Sequence, residues 1–121
     1  MARVFLDTNH FIGLTNRAPE VETEILDEQK GFISTLSCHI LFYVNKIAVP
    51  DKKMDSFISD FNLINLSHDI LNKALIGPTK DLEDNIQLHS AAQADCDIFL
   101  TYDAGLLKLK FFGKTEIKSQ L

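Results

Sequence analysis

Two short apolar runs that end close to carboxylates constrain the fold of this chain more than any other feature. Val4-Phe5-Leu6 runs into Asp7, and Ile98-Phe99-Leu100 runs into Thr101-Tyr102-Asp103. A strand with one face in solvent alternates apolar and polar residues, whereas an unbroken apolar run bounded by polar residues reads as a strand buried on both faces. Shorter signals of the same kind stand at Gly31-Phe32-Ile33-Ser34 and Leu63-Ile64-Asn65-Leu66, with a weaker one at Thr115–Lys118. Helical stretches lie between them. Thr8 to about Thr15 can start a helix, and Glu20–Lys30 sets Val21, Ile25 and Leu26 among acids. Leu36, Ile40, Val44 and Ile47 recur at helical spacing over about 35–48, and Asp51–Phe61 is also expected to be helical. Ser67 caps a helix through Ile76, and Asp81–Ala94 forms another. Strands alternating with helices require crossover connections. The expected fold class is therefore α/β, a Rossmann-like three-layer α/β/α sandwich with a mainly parallel central sheet. A length of 121 residues makes 1–121 a single domain.

Composition removes several function classes. No apolar run approaches the roughly 18 residues of a membrane span. Asp7 breaks the first apolar run too early for a signal peptide. Cys38 and Cys96 are too few and too far apart for a disulfide framework or a zinc module, which makes a reducing cytoplasm the expected location. Twelve basic side chains against 17 acidic ones give a net charge of −5, a poor basis for sequence-specific duplex binding. The charges are also segregated. Residues 81–103 hold Asp81, Glu83, Asp84, Asp95, Asp97 and Asp103 without a Lys or Arg, and residues 104–121 then hold Lys108, Lys110, Lys114 and Lys118 against Glu116 alone. This is either a pair of solvated faces or a carboxylate site beside a phosphate-attracting rim.

In a parallel α/β sheet the functional crevice lies at the carboxyl ends of the strands. Asp7 follows the first strand, Asp103 closes the fourth, and Asp84 opens the helix that leads into it. Crowded carboxylates repel, and a hard divalent cation relieves that repulsion. Such an ion polarises phosphoryl oxygens and activates water, so phosphodiester hydrolysis is the matching reaction class. Each acid also has a plainer explanation. Asp7, Asp81 and Asp103 can cap a helix or turn, and Asp84 can complement a helix dipole. The five glycines are isolated, so no phosphate loop competes, and no nucleophilic triad is evident.

Val4-Phe5-Leu6-Asp7-Thr8-Asn9 resembles the opening of PIN domains. Asp81-Leu82-Glu83-Asp84-Asn85-Ile86-Gln87-Leu88, Ala91-Ala92 and Ile98-Phe99-Leu100-Thr101-Tyr102-Asp103 resemble that family's closing motifs, and Ser34-Thr35-Leu36-Ser37 resembles the segment that opens its middle helix. The resemblance implies a metal-dependent endoribonuclease that hydrolyses single-stranded RNA with Mg²⁺ or Mn²⁺, often as the toxin of a toxin–antitoxin pair. It implies an antitoxin protein as partner, with homodimers common and no membrane involved. By motif match, Asp7, Asp84 and Asp103 would be the catalytic metal ligands, with Thr8, Asn9, Thr101 and Asp81 orienting them. Apart from the resemblance, Lys108, Lys110 and Lys114 in the basic tail either hold flanking phosphates or simply keep the tail soluble.

One departure stands out. Many PIN domains carry a Glu in the middle helix, and one branch an Asn, at the place aligned with Ile40. Here Ile40 falls on the apolar stripe and is expected in the core. The missing acid argues against a second metal and supports an alternative, a catalytically weak domain acting as an RNA- or protein-binding module. His39, His10, His68 and His89 read as surface or core histidines. A dehalogenase-like phosphatase would need Asp where Asn9 stands, and a receiver domain would need paired acids after the first strand and a strand-end Lys.

Overall fold

The short apolar runs line up side by side as neighbouring strands. In the computed structural model, which describes residues 1–16 and 30–121, β1 spans Arg3–Leu6, β2 Lys30–Ser34, β3 Asn62–Ile64, β4 Ile98–Leu100, β5 Phe111–Phe112 and β6 Thr115–Lys118. They form one six-stranded sheet in the order β3-β2-β1-β4-β6-β5. Every pairing is parallel except the β5–β6 hairpin. Gly113 turns that hairpin at φ 59, a left-handed conformation that glycine adopts without a Cβ penalty.

Among the described residues the helices are α1 (Thr8–Asn16), α2 (Thr35–Val44), α3 (Lys52–Ser59), α4 (His68–Ala74), α5 (Leu82–Gln93) and α6 (Ala104–Leu107). Short polar side chains start most of them. Ser34, Asp51, Ser67, Asp81 and Asp103 each accept a hydrogen bond from a backbone N–H in the first turn of the helix that follows.

Alternation along the strands builds two cores. Val4, Leu6, Ile33 and Leu100 point to one face, where they pack with Phe11, Leu14 and Leu41. Phe5, Phe32, Phe99 and Ile117 point to the other and pack with Leu88, Ala91 and Leu106. Phe5 and Phe99 are register partners, and their rings stack at 5.5 Å. Burying each such side chain stabilises the fold by about 1.5–3 kcal/mol. The expected three-layer α/β/α sandwich is thus present among the described residues.

Crossover helices run antiparallel to the strands they connect, so their N-termini collect at the carboxyl edge of the sheet. That edge also holds the topological switch point. From β1 the chain goes to β2 on one side, while β4 pairs with β1 on the other.

Three details differ from the sequence reading. Ile40 is half-buried and belongs to none of the core clusters; the buried positions of α2 are Ser37 and Leu41. Val44 is exposed and ends the helix, because Asn45 terminates it by closing back on Leu41. Neither α6 nor β5 was expected, since four and two residues carry too little periodicity to register. The helix expected over Glu20–Lys30 falls outside the described residues, save that Lys30 is the first residue of β2. Among the described residues no helix is long and apolar enough to cross a membrane.

Candidate metal centre

Asp7 stands one residue beyond β1, and its N–H donates to the Leu100 carbonyl at 2.9 Å, extending the β1–β4 ladder by one step. This places its carboxylate at the switch point. The side chain is only 2% exposed and held at both oxygens. Oδ1 accepts from the Thr8 N–H at 2.9 Å, and Oδ2 accepts from the Thr101 hydroxyl at 2.8 Å. Thr101 Oγ1 in turn accepts from the Asp103 N–H at 3.0 Å. One hydroxyl therefore locks the end of β1 to the end of β4.

A second buried chain ties three helices together below the site. Thr8 Oγ1 lies 2.8 Å from Ser37 Oγ, and Ser37 Oγ donates to Gln87 Oε1 at 3.2 Å. An amide oxygen only accepts, so Ser37 spends its proton on Gln87 and Thr8 donates to Ser37. The polar Ser37 on the buried stripe of α2 is explained by this link.

The other acids arrive on α5. Asp81 caps it, its Oδ1 accepting from the Asp84 N–H at 2.9 Å. Glu83 and Asp84 occupy the first turn. One oxygen from each of Asp7, Glu83 and Asp84 lies within 4.8 Å of the others. Asp103 is outside this trio but close to it, since its charge raises the pKa of both Asp7 and Asp84. Its Oδ1 accepts from the Leu106 N–H at 3.0 Å and so also caps α6.

The electrostatics are those of a site short of positive charge. Burial, reinforced by Glu83 and Asp103, pushes Asp7 from 3.8 up to about 6, against the lowering effect of the Thr101 and Thr8 hydrogen bonds. Asp84 is also raised to about 6, by burial first and then by Asp81, Asp7 and Asp103. Glu83 is raised by burial and by Asp84 and Asp81. Among the described residues the trio offers carboxylate oxygens only, the donor set of a hard ion such as Mg²⁺ or Mn²⁺ rather than of zinc or copper.

Of the residues singled out in the sequence, Asp7, Asp84, Thr8, Thr101 and Asp81 converge here, with Asp103 alongside. Asn9 is exposed in the first turn of α1. Lys108 ends α6 and Lys110 follows it at φ 64. Lys114 lies at the opposite edge of the sheet, paired with Asp95 at 3.3 Å. It does so because β6 runs parallel to β4 and therefore begins at the amino end of that strand. Lys114 is thus in no position to hold a phosphate beside Asp7.

Glu83, Ser37 and Gln87 were missed. The signal for Glu83 is its position beside Asp84 in the Asp81-Leu82-Glu83-Asp84 helix start, since a site that meets the helix end-on is reached by both Glu83 and Asp84. For Ser37 and Gln87 the sequence carries no signal, since a buried polar pair is defined only by its partner.

Thr101→Val tests the clamp. Removing the hydroxyl is expected to raise the pKa of Asp7 further and to weaken Mn²⁺ binding by about 10- to 100-fold, as loss of a ligand-orienting hydrogen bond usually does. The midpoint of the Mn²⁺-induced rise in Tm reads this directly, and an unchanged midpoint would show that Thr101 does not position Asp7.

No protein-family model matches the sequence, and no curated protein is similar to it. Solved structures do match. A chain of a toxin–antitoxin complex from Klebsiella pneumoniae superposes with a TM-score of 0.67 at 22% identity, over 83% of this chain and 86% of that one. A chain of DNA-bound VapBC from Salmonella typhimurium gives 0.69 at 17% identity, covering 98% of both chains. A chain of Rickettsia felis VapBC2, bound to a fragment of its promoter DNA, gives 0.67 at 17% identity, over 96% and 97%.

The fold is PIN-like. At these identities the likeness is one of fold. The PIN-like sheet brings Asp7 and the first turn of α5 to one edge, which is what the spacing of the acids along the chain required.

Proposed function

We propose that this chain is a metal-dependent endoribonuclease acting on single-stranded RNA, and that it serves in the cytoplasm as the toxin of a toxin–antitoxin pair. The observation that carries this reading is the convergence of Asp7, Glu83 and Asp84 at the β1–β4 switch point. The PIN-like fold supports the toxin assignment and an antitoxin protein as partner, because chains of that shape occur in toxin–antitoxin complexes.

Asp7, Asp84 and Glu83 would hold the cation, with Asp103 beside them on the β4 side. A bound Mg²⁺ or Mn²⁺ would supply positive charge to a phosphoryl oxygen and lower the pKa of a water, making hydroxide available at neutral pH for phosphodiester hydrolysis. The protein does the positioning. Thr101 and Thr8 fix both oxygens of Asp7 so that it approaches the ion in one orientation. Asp81 fixes the start of α5 and with it the directions of Glu83 and Asp84. Lys108 and Lys110, which follow α6, are the candidates for contacts with the RNA backbone, and Asn9, exposed on the first turn of α1, would orient the ligands only if it turned towards them.

The test is cleavage of a single-stranded RNA with Mn²⁺ or Mg²⁺, with and without EDTA, by the wild type and by Asp84→Asn. Cleavage that needs the ion and is lost in the variant supports the reading; equal activity in the two proteins refutes it. Ile40 favours a second reading. The middle helix supplies no acid, and a domain that binds RNA or protein without cutting would tolerate that loss. A Tm that rises with Mn²⁺ in a protein that binds but never cleaves RNA selects this alternative.

A further inference from the structure

Acids that repel one another stay together only if the elements carrying them are held together. Asp7 belongs to the end of β1, whereas Glu83 and Asp84 sit in the first turn of α5. Among the described residues, no hydrogen bond or ion pair of the Glu83 or Asp84 side chain joins these two elements. The other polar side chains of α5 mostly bond elsewhere. Asn85 donates to the Ala74 and Thr79 carbonyls, each at 2.9 Å, and His89 Nε2 lies 2.9 Å from the Gly77 carbonyl oxygen. Ser90 donates to the Ile86 carbonyl of its own helix at 2.6 Å. Among the described residues of α5, Gln87 alone bonds across to the Asp7 side, its Oε1 accepting from Ser37, which accepts in turn from Thr8. The Thr8 N–H that holds Asp7 Oδ1 lies at the far end of this chain. Gln87 follows Asp84 by three positions and Glu83 by four, so it shares their side of the helix.

The link comes with a defect. Gln87 is fully buried, and its Nε2 has no hydrogen-bond partner among the described residues. Buried donors without an acceptor are rare and destabilising. A methionine of similar length would fill the same space without one. Side chains that break such a rule are expected where function needs them.

We propose that Gln87 is a positioning residue for the cation site: through Ser37 and Thr8 it sets Glu83 and Asp84 against Asp7, at the expense of an unpartnered buried N–H. The proposal rests on the cation site of the reading above, but not on RNA cleavage. Asp7 is then oriented from two directions, by Thr101 from β4 and by this chain from α5.

The experiment measures Mn²⁺ binding by the EPR signal of the free ion, beside the Tm of the metal-free protein. Gln87→Met is expected to weaken Mn²⁺ binding by about 10- to 100-fold, while its metal-free Tm stays level or rises because the orphan donor is gone. Ser37→Ala should weaken Mn²⁺ binding as much, and Ser37→Thr, which keeps the hydroxyl, should bind within about two-fold of wild type. The double variant Ser37→Ala/Gln87→Met should be no worse than either single one, since both cut the same chain. Ser90→Ala, which breaks a buried bond internal to α5, should leave Mn²⁺ binding unchanged. Wild-type Mn²⁺ affinity in Gln87→Met overturns the proposal, and so does a weakened affinity that comes with a lower metal-free Tm or is matched by Ser90→Ala. If the affinities shift as expected but the wild type never cleaves RNA, the positioning role stands and the ribonuclease reading falls. If the wild type binds no Mn²⁺, both fall.

Discussion

Asp7→Asn is expected to cut RNA cleavage by about 100- to 1,000-fold while making the metal-free protein more stable. The two effects have one cause. At neutral pH Asp7 is a buried charge, pushed up to about 6 by its burial and by Glu83 and Asp103. Removing the charge removes that penalty. The amide can keep the local contacts, its Oδ1 accepting from the Thr8 N–H and its Nδ2 donating to Thr101 Oγ1. The Thr101 hydroxyl loses its acceptor, which offsets part of the gain. The net stabilisation should be about 1–2 kcal/mol at neutral pH. The cation meanwhile loses its most deeply held ligand, so the Mn²⁺-induced rise in Tm should vanish. Thermal melts with and without Mn²⁺, beside a cleavage assay, check all three effects. A variant that is inactive because it is destabilised would contradict this account.

The second large effect is in the pH dependence. The melting temperature of the metal-free wild type is expected to rise as pH falls from about 7.5 to about 5, the reverse of ordinary acid destabilisation. Folded Asp7 and Asp84 take up protons near pH 6, whereas in the unfolded chain they do so near their ordinary 3.8. Between those values the folded state binds more protons, so lowering the pH favours it. Asp7 alone can contribute about 1–1.5 kcal/mol over this window, or roughly 4–7 °C for a chain of this size. Asp84, less buried, adds less. With saturating Mn²⁺ the trend inverts. The ion needs the ionised carboxylates, so its stabilisation is full above about pH 7 and fades as protons compete near and below 6. The two melting curves should converge near pH 5. A metal-free Tm that falls steadily over the same range would mean that these carboxylates are not crowded.

How much was legible beforehand follows from what each signal depends on. The strands at Val4-Phe5-Leu6 and Ile98-Phe99-Leu100 could be read because continuous apolar runs mark two-sided burial. Asp7, Asp84 and Thr101 could be read because strand ends and helix starts share one edge of a parallel sheet. Ile40 was misplaced because Ser37 interrupts the apolar stripe of α2, and its partners Thr8 and Gln87 lie 29 and 50 residues away in the chain. Lys114 was misplaced because a charge count ignores strand direction: the β5–β6 hairpin sends its turn to the far end. Glu83 is harder to read because Asp81 and Asp84, three apart, already account for the helix start as cap and ligand, and only the fold shows that Glu83 faces the same edge.

The bond from Thr101 to Asp7 spans 94 positions of sequence. On the ribosome, Asp7 emerges early and waits through most of synthesis before β4 arrives to flank β1. Until then its carboxylate has neither its clamp nor the acids of α5 beside it. A polypeptide that stops short of β4 would therefore present Asp7 without a fixed orientation, since the carboxylate cluster is completed only when the late segment docks.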